Sequence, residues 1–449
     1  MEKIELDRLH KLVEQLRRAG ADQVDAYYEW GRNTNISARN GEVENLKQAV
    51  SQGVGVRVFK NHQLGFGFTS DISPDGLSRL GEKTLALAHA TAIDPNHGLP
   101  DKKYLGRPTK AADAFDPQVE ALDNATLTKN AILMEKVALA ADPRIKTVQE
   151  VGAGCNVQRV ALVNSEGFAG DYAKTYAWLY ADTLAEADGQ KQSGSFVDQA
   201  THWADLLGPE AVAQEAARRG VRTLGARKIP SAQMPVIFEP PLVKAFLRGL
   251  LGALNGEMVF LKSSFLADKL GQTIASPLFT VVDDGGLDRR SGSQPFDGEG
   301  LATRRQTLFD KGALRMFLYD VHTANQAGAQ PSGTAGRGYA ALPTIGSTNL
   351  FLEPGDQPPA ALRRGLDRAL LVTDMMGQGV NTVTGDYSRG AKGFLIEKGE
   401  IVHPVQEVTV AAHMLDMLRN IDMVANDMEW RGSVGAPSIR FAKMTVAGK

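Results

Sequence analysis

The chain has 449 residues, 43% hydrophobic and 23% charged, enough for two or three cores of an ordinary globular protein. Lys plus Arg is 50 and Asp plus Glu is 52, a net charge of −2, which excludes the basic excess of a dominant nucleic-acid footprint. There is no apolar run of about 18 residues and no signal-peptide pattern, and Cys155 is the only cysteine, so a reducing cytoplasm is the expected compartment.

In chain order, residues 1–110 read as an N-terminal α+β domain. Leu6, Leu9, Leu12, Val13 and Leu16 recur at helical steps, and Gly20 supplies a stop. Strands are expected over 24–30, 33–38, 43–50, 53–59 and 65–69. Asn40-Gly41 marks a hairpin and Asn61-His62 a second turn. Ser73-Pro74 caps a helix reaching about residue 92. A linker rich in Pro, Gly, Lys and Asp covers 95–117.

Residues 111–228 read as a central helix–hairpin domain. A helix over 124–141 precedes two β-rich stretches, 147–163 and 167–186, joined around Asn164-Ser165-Glu166-Gly167. A helix over about 208–224 follows, and Lys228-Ile229-Pro230 marks the next boundary. Residues 229–449 form a β-rich C-terminal domain, with helices expected over 240–254 and 412–419. No repeat of 20–50 residues is present, and runs of strands beside runs of helices predict the α+β class.

The stretch from Met375 to Phe394 holds five glycines and the cluster Asp386-Tyr387-Ser388-Arg389 between apolar strand-like runs. Gly377-Gln378-Gly379 begins like a dinucleotide fingerprint. Thr382 stands where its third glycine belongs, and the residues that follow are β-prone rather than helical, so the phosphate-binding context is absent. A tight hairpin and a loop lining a binding surface are the two readings left.

Elsewhere, reactive chemistry is sparse. None of His10, His62, His89, His97, His202, His322, His403 and His413 lies three to five residues from another, so no helix offers two imidazoles to zinc. Each lone histidine reads as surface or structural, and Cys155 as a small buried residue. Asp283-Asp284 and Phe296-Asp297-Gly298-Glu299-Gly300 lie near Arg289-Arg290 and Arg304-Arg305, a pattern of ion pairs and turns without calcium-loop spacing. No Gly-x-Ser-x-Gly elbow is present.

Several motifs, in order, carry a resemblance. Lys262-Ser263-Ser264-Phe265-Leu266, Pro295 to Gly300, Gly377-Gln378-Gly379, Gly385 to Ala391 with Gly393-Phe394, Pro404 to Ala411, and Met417 to Ile421 resemble the PmbA/TldE branch of the TldD/PmbA family. The likeness is densest from Pro235 onward and extends more loosely to Gly41-Glu42-Val43-Glu44 and Gly53 to Val58. It implies a TldD–TldE heterodimer that encloses a peptide-degrading chamber. The family is associated with maturation of ribosomal peptide antibiotics and removal of an antitoxin, and an older name links it to DNA gyrase.

The TldD branch carries His-Glu-x-x-x-His before a Gly-Asp/Glu pair. The corresponding stretch here, Leu247-Arg248-Gly249-Leu250-Leu251-Gly252 before Gly256-Glu257, has no such donors, and 428–441 lacks the family's zinc cysteine. The resemblance therefore implies a zinc-free subunit with no catalytic or metal residues of its own and zinc in a TldD-type partner. Gly377, Gly379, Asp386, Tyr387, Ser388, Arg389, Phe296 and Asp297 are expected to contact peptide or partner. Unfolded peptides are the expected substrates, with no direct contact to nucleic acid or membrane. The alternatives are a self-sufficient metallopeptidase with dispersed ligands such as His322 or His403, and a gyrase- or DNA-associated binding protein.

Overall fold

The computed structural model describes residues 6–106, 112–377 and 379–448. Part of the expected linker, 107–111, lies outside the described residues, as does Gln378.

One antiparallel sheet organises the first two hundred residues. Its strands are β1 (Gln23–Arg39), β2 (Glu42–Lys60), β3 (Gln63–Thr69), β4 (Ile145–Asn164), β5 (Ala169–Ala187) and β6 (Gln190–Ala200), in the order β3-β2-β1-β4-β5-β6. Five helices accompany it: α1 (Leu6–Arg18), α2 (Pro74–Ala88), α3 (Pro117–Glu120), α4 (Asn124–Ala141) and α5 (Pro209–Val221). α1 buries Leu9, Leu12, Val13 and Leu16 against Tyr28, Trp30, Val54 and Val56. α4 and α5 cover the other half of the sheet, where Leu127, Met134 and Val212 meet Ile36, Val151 and Leu179.

Three expectations need correction. Residues 24–38 form one strand rather than two, as do 43–59, because Gly31 and Gly53 continue the ladder in register with Ser51 and Glu29. α2 stops at Ala88 instead of near 92. β6 stands where no strand was expected. Its inward positions include Gln192, Gly194 and Asp198, so the usual apolar alternation is hidden, although Asp188 and Gly189 both take the positive φ of a tight hairpin turn.

The C-terminal half holds β7 (Ala232–Phe238), α6 (Pro240–Ala253), α7 (Gly256–Phe260), β8 (Val281–Asp284), β9 (Arg305–Asp310), β10 (Ala313–Leu314), α8 (Val321–Ala327), β11 (Leu350–Leu352), β12 (Arg368–Met376), β13 (Asp386–Glu397), β14 (Glu400–His413), α9 (Met414–Arg419), β15 (Ile421–Val424), β16 (Glu429–Trp430), β17 (Val434–Ala436) and β18 (Ile439–Ala447). They build two six-stranded sheets, β14-β13-β12-β7-β18-β15 and β10-β9-β8-β11-β17-β16. Pairing of β14 with β18 closes five strands of the first sheet into a ring. α6 packs between β7 and β12 of that sheet and β11 and β17 of the other. Its Leu242, Phe246 and Leu250, with Leu254 just past its end, recur every four residues and are all buried, as a helix face enclosed by two sheets requires. The class is α+β, as expected. Among the described residues no helix is long and apolar enough to cross a membrane.

Candidate functional site

The glycine-rich segment is a hairpin seated on α6. β12 and β13 pair antiparallel from Arg368↔Glu397 to Met376↔Gly390, and the chain between them is closed by its own side chains. Asn381 Oδ1 accepts from the N–H groups of Val383 (3.0 Å) and Thr384 (3.2 Å), and the Asn381 carbonyl accepts from Gly385 N–H (2.8 Å). Gly377 and Gly385 take φ of +85° and +83°, a region that penalises any side chain. Below the loop, a Cβ on Gly249 would lie 2.7 Å from Val380 Cγ2, and one on Gly252 would lie 3.1 Å from Thr382 Cγ2. Phe265 N–H donates to the Thr382 carbonyl (3.0 Å), and His413 Nε2 donates to the Thr384 carbonyl (2.8 Å). The loop thus rests on the glycine face of α6 and is held in place by Phe265 and His413.

Strand alternation divides the polar cluster. Asp386 and Ser388 point to solvent, and Asp386 accepts from Thr384 Oγ1 at 2.6 Å. Tyr387 points inward: it is 3% exposed, near Phe238, and its hydroxyl donates to Met375 Sδ at 3.0 Å. Burial pushes its phenol up to about 12. Arg389 is half-buried beside Gly379, and its Nε finds no hydrogen-bond partner among the described residues.

Phe296 and Asp297 join a separate cluster, at the junction of the N-terminal sheet with the C-terminal region. The Phe296 ring meets Phe168 and Tyr172 edge-on, each with centroids 5.0 Å away. The Asp297 carboxylate accepts from the N–H groups of Glu299 (2.9 Å), Leu301 (3.0 Å) and Ala335 (3.0 Å). Burial, reinforced by the Glu299 charge, raises Asp297 to about 7. Beside it lies a buried ion network. Arg57 bonds Asp25 (2.6 Å) and Glu299 (3.0 Å), while Arg337 holds both Asp25 oxygens at 2.9 Å. Burial works against the Asp25 charge, yet the Arg337 and Arg57 guanidiniums win and hold it at about 2. A carboxylate among two arginines and a carboxyl among backbone amides both rigidify this junction.

A third gathering was invisible in the sequence. Asp94, His97 and His322 bring one potential ligand atom each to within 4.8 Å of the others. Only Asp94 and His97 are neighbours along the chain, so no local spacing announces the trio. Cys155 is buried as expected, and burial raises its thiol.

Comparison with known proteins bears on this architecture. Profiles of the PmbA/TldA metallopeptidase domain 1, central domain and C-terminal domain match residues 24–88, 117–224 and 231–448. The chain is 32% identical to Metalloprotease PmbA of Escherichia coli O157:H7 across 92% of its own length and 90% of that protein. The chain belongs to the PmbA/TldE family. A Thermotoga maritima crystal structure, named as a modulator of a DNA gyrase, superposes with a TM-score of 0.90 at 25% identity, covering 98% of this chain and 99% of that one. TldE from Thermococcus kodakarensis shares the fold, with a TM-score of 0.88 at 20% identity, covering 98% and 100%.

Within this PmbA/TldE-family chain, Leu247 to Gly252, the stretch that the sequence resemblance sets against the TldD-branch zinc motif, lies on α6. Its residues do not fit a zinc ion. Leu247 is 1% exposed in the core, Gly252 has no side chain, and Val380 and Thr382 of the loop cover the glycine face. Catalytic zinc needs imidazole, thiolate or carboxylate donors and an open position for water, and this surface supplies neither. A groove of about 660 Å³ opens elsewhere, lined by Arg218, Glu239, Pro241, Leu362 and Glu429, and includes none of the expected contact residues.

Proposed function

We propose that this chain is the non-catalytic TldE/PmbA-type subunit of a cytoplasmic two-protein metalloprotease. It shapes the chamber and holds an extended peptide, while a TldD-type partner supplies zinc and the general base. The observation that carries this reading is the donor-free α6 surface, packed shut by Val380 and Thr382 over the stretch that the resemblance sets against the TldD-branch zinc motif.

Two features suit a holding role. Asp386 and Ser388 stand outward on a hairpin anchored to α6, a rigid mount for contact with peptide or partner. β2 from Glu42 to Gly53 pairs only with β1 among the described residues, so one main-chain edge stays open. An extended peptide binds such an edge as an added strand, through backbone hydrogen bonds that tolerate many sequences.

The test is to purify the chain alone and together with a TldD-type partner, and to measure assembly mass and peptidase activity of each. Activity only in the mixture is the expected result. Activity of this chain alone, abolished by chelation, overturns the reading in favour of a self-sufficient metallopeptidase.

A further inference from the structure

We infer that Asp94, His97 and His322 form a zinc-class divalent metal site that pins the 94–97 turn of the N-terminal region to α8. The site is distinct from the α6 surface, and the inference stands whether or not the subunit reading does.

The turn is built to aim its carboxylate. Asp94 N–H donates to the His62 carbonyl (3.1 Å), and His97 N–H donates back to the Asp94 carbonyl (3.0 Å). Asn96 bonds Asp94 Oδ1 through its N–H (2.9 Å) and Nδ2 (2.8 Å), which leaves Oδ2 directed at His322 Nε2, 2.8 Å away. Asp320 caps α8 by accepting from Thr323 N–H and so fixes His322 in the first turn. Asn325 Nδ2 reaches back to the Asn96 carbonyl (3.0 Å) and holds turn and helix together.

A simple Asp94–His322 hydrogen bond does not account for His97. Its ring lies against that of His322, centroids 4.8 Å apart, with Nε2 3.9 Å from Asp94 Oδ2. Its Nδ1 is buried with no hydrogen-bond partner among the described residues. Two protonated imidazoles so close would repel, whereas two neutral ones beside a carboxylate make a ligand set.

The distances and donor types point to one class of ion. Tetrahedral zinc with bonds of about 2.0–2.2 Å sets its donors roughly 3.4 Å apart, between the 2.8 Å and 3.9 Å separations here. Two nitrogens and one oxygen suit Zn(II) or Co(II) and disfavour Ca(II) and Mg(II), which take all-oxygen sets. The three side chains are 23–36% exposed, so an ion can enter and water can complete its coordination.

The full chain, stripped with chelator, is titrated with Co(II) and then Zn(II). The expected result is about one equivalent of tetrahedral Co(II) absorption, displaced by Zn(II), with zinc also raising the melting temperature. His97→Ala, His322→Ala and Asp94→Asn each weaken binding at least about tenfold, the loss typical even of outer-shell changes. His403→Ala leaves it unchanged. Absence of Co(II) absorption in the unmodified chain, or equal binding in the three variants, overturns the inference.

Discussion

Gly249 of α6 and Val380 of the β12–β13 loop approach so closely that a single methyl group at 249 would sit 2.7 Å from Val380 Cγ2. This contact joins the helix that lacks metal donors to the loop that covers it. Two neighbouring glycines on the same helix therefore differ in what they tolerate.

Gly249→Ala improves helix propensity by up to about 1 kcal/mol, but overpacking costs about 1–3 kcal/mol, so the net effect is destabilising. Gly252→Ala meets Thr382 at the gentler distance of 3.1 Å, and its two effects nearly cancel. Urea unfolding of both variants checks the order. Equal stabilities, or a stabilised Gly249→Ala, contradict the seating of the loop.

Tyr387 is a core residue whose hydroxyl finds Met375 Sδ. Tyr387→Phe removes one weak hydrogen bond and is expected to cost about 0.5–1 kcal/mol. Tyr387→Ala empties a buried ring site and is expected to cost about 3–5 kcal/mol. Thermal unfolding checks both. A stable Tyr387→Ala variant places the ring at the surface.

Asp25 gives stability a defined acid dependence. Its folded pKa, about 2, lies below the ordinary 3.8, so its contribution is present above the ordinary value and lost as pH falls through the folded one. Asp25→Asn leaves Arg337 and Arg57 short of a counter-charge and costs about 3–5 kcal/mol at neutral pH. The gap between wild type and variant is expected to narrow from about pH 4 towards pH 2. A gap that stays constant over that range contradicts the network.

Asp297 has the opposite sign. Burial and Glu299 raise its folded pKa to about 7, so the folded state holds the proton that the unfolded state releases near 3.8. Stability from this group is full below pH 4 and declines as pH rises towards 7. Relative to Asp297→Asn, the wild type is expected to lose stability over that window. Denaturation midpoints at pH 4 and pH 7 measure the difference, and a rise with pH contradicts it.

Local signals made much of the fold legible. The helix over 124–141, the Asn40-Gly41 turn and the β4–β5 hairpin appear where cap, turn and alternation chemistry put them. β6 escaped because Gln192, Gly194 and Asp198 occupy its inner face, so burial there does not read as hydrophobicity. The breaks expected at 31–32 and 51–52 were misleading, since the ladder passes through both; at Gly53 the Tyr339 ring leaves no room for a side chain. The loop Gly377 to Arg389 was legible as a hairpin, but its seat on Gly249 and Gly252 is a tertiary contact. The same holds for Phe296, Asp297 and the Asp94–His97–His322 trio, whose partners lie far away in sequence.

The proposed subunit role leaves α6 without a part in catalysis and gives the zinc chemistry to a TldD-type partner. Peptidase activity of the zinc-supplemented chain, alone and mixed with such a partner, separates this role from a self-sufficient enzyme. No cleavage by the chain alone and cleavage in the mixture are expected. Cleavage by the chain alone that chelation abolishes overturns the proposed role.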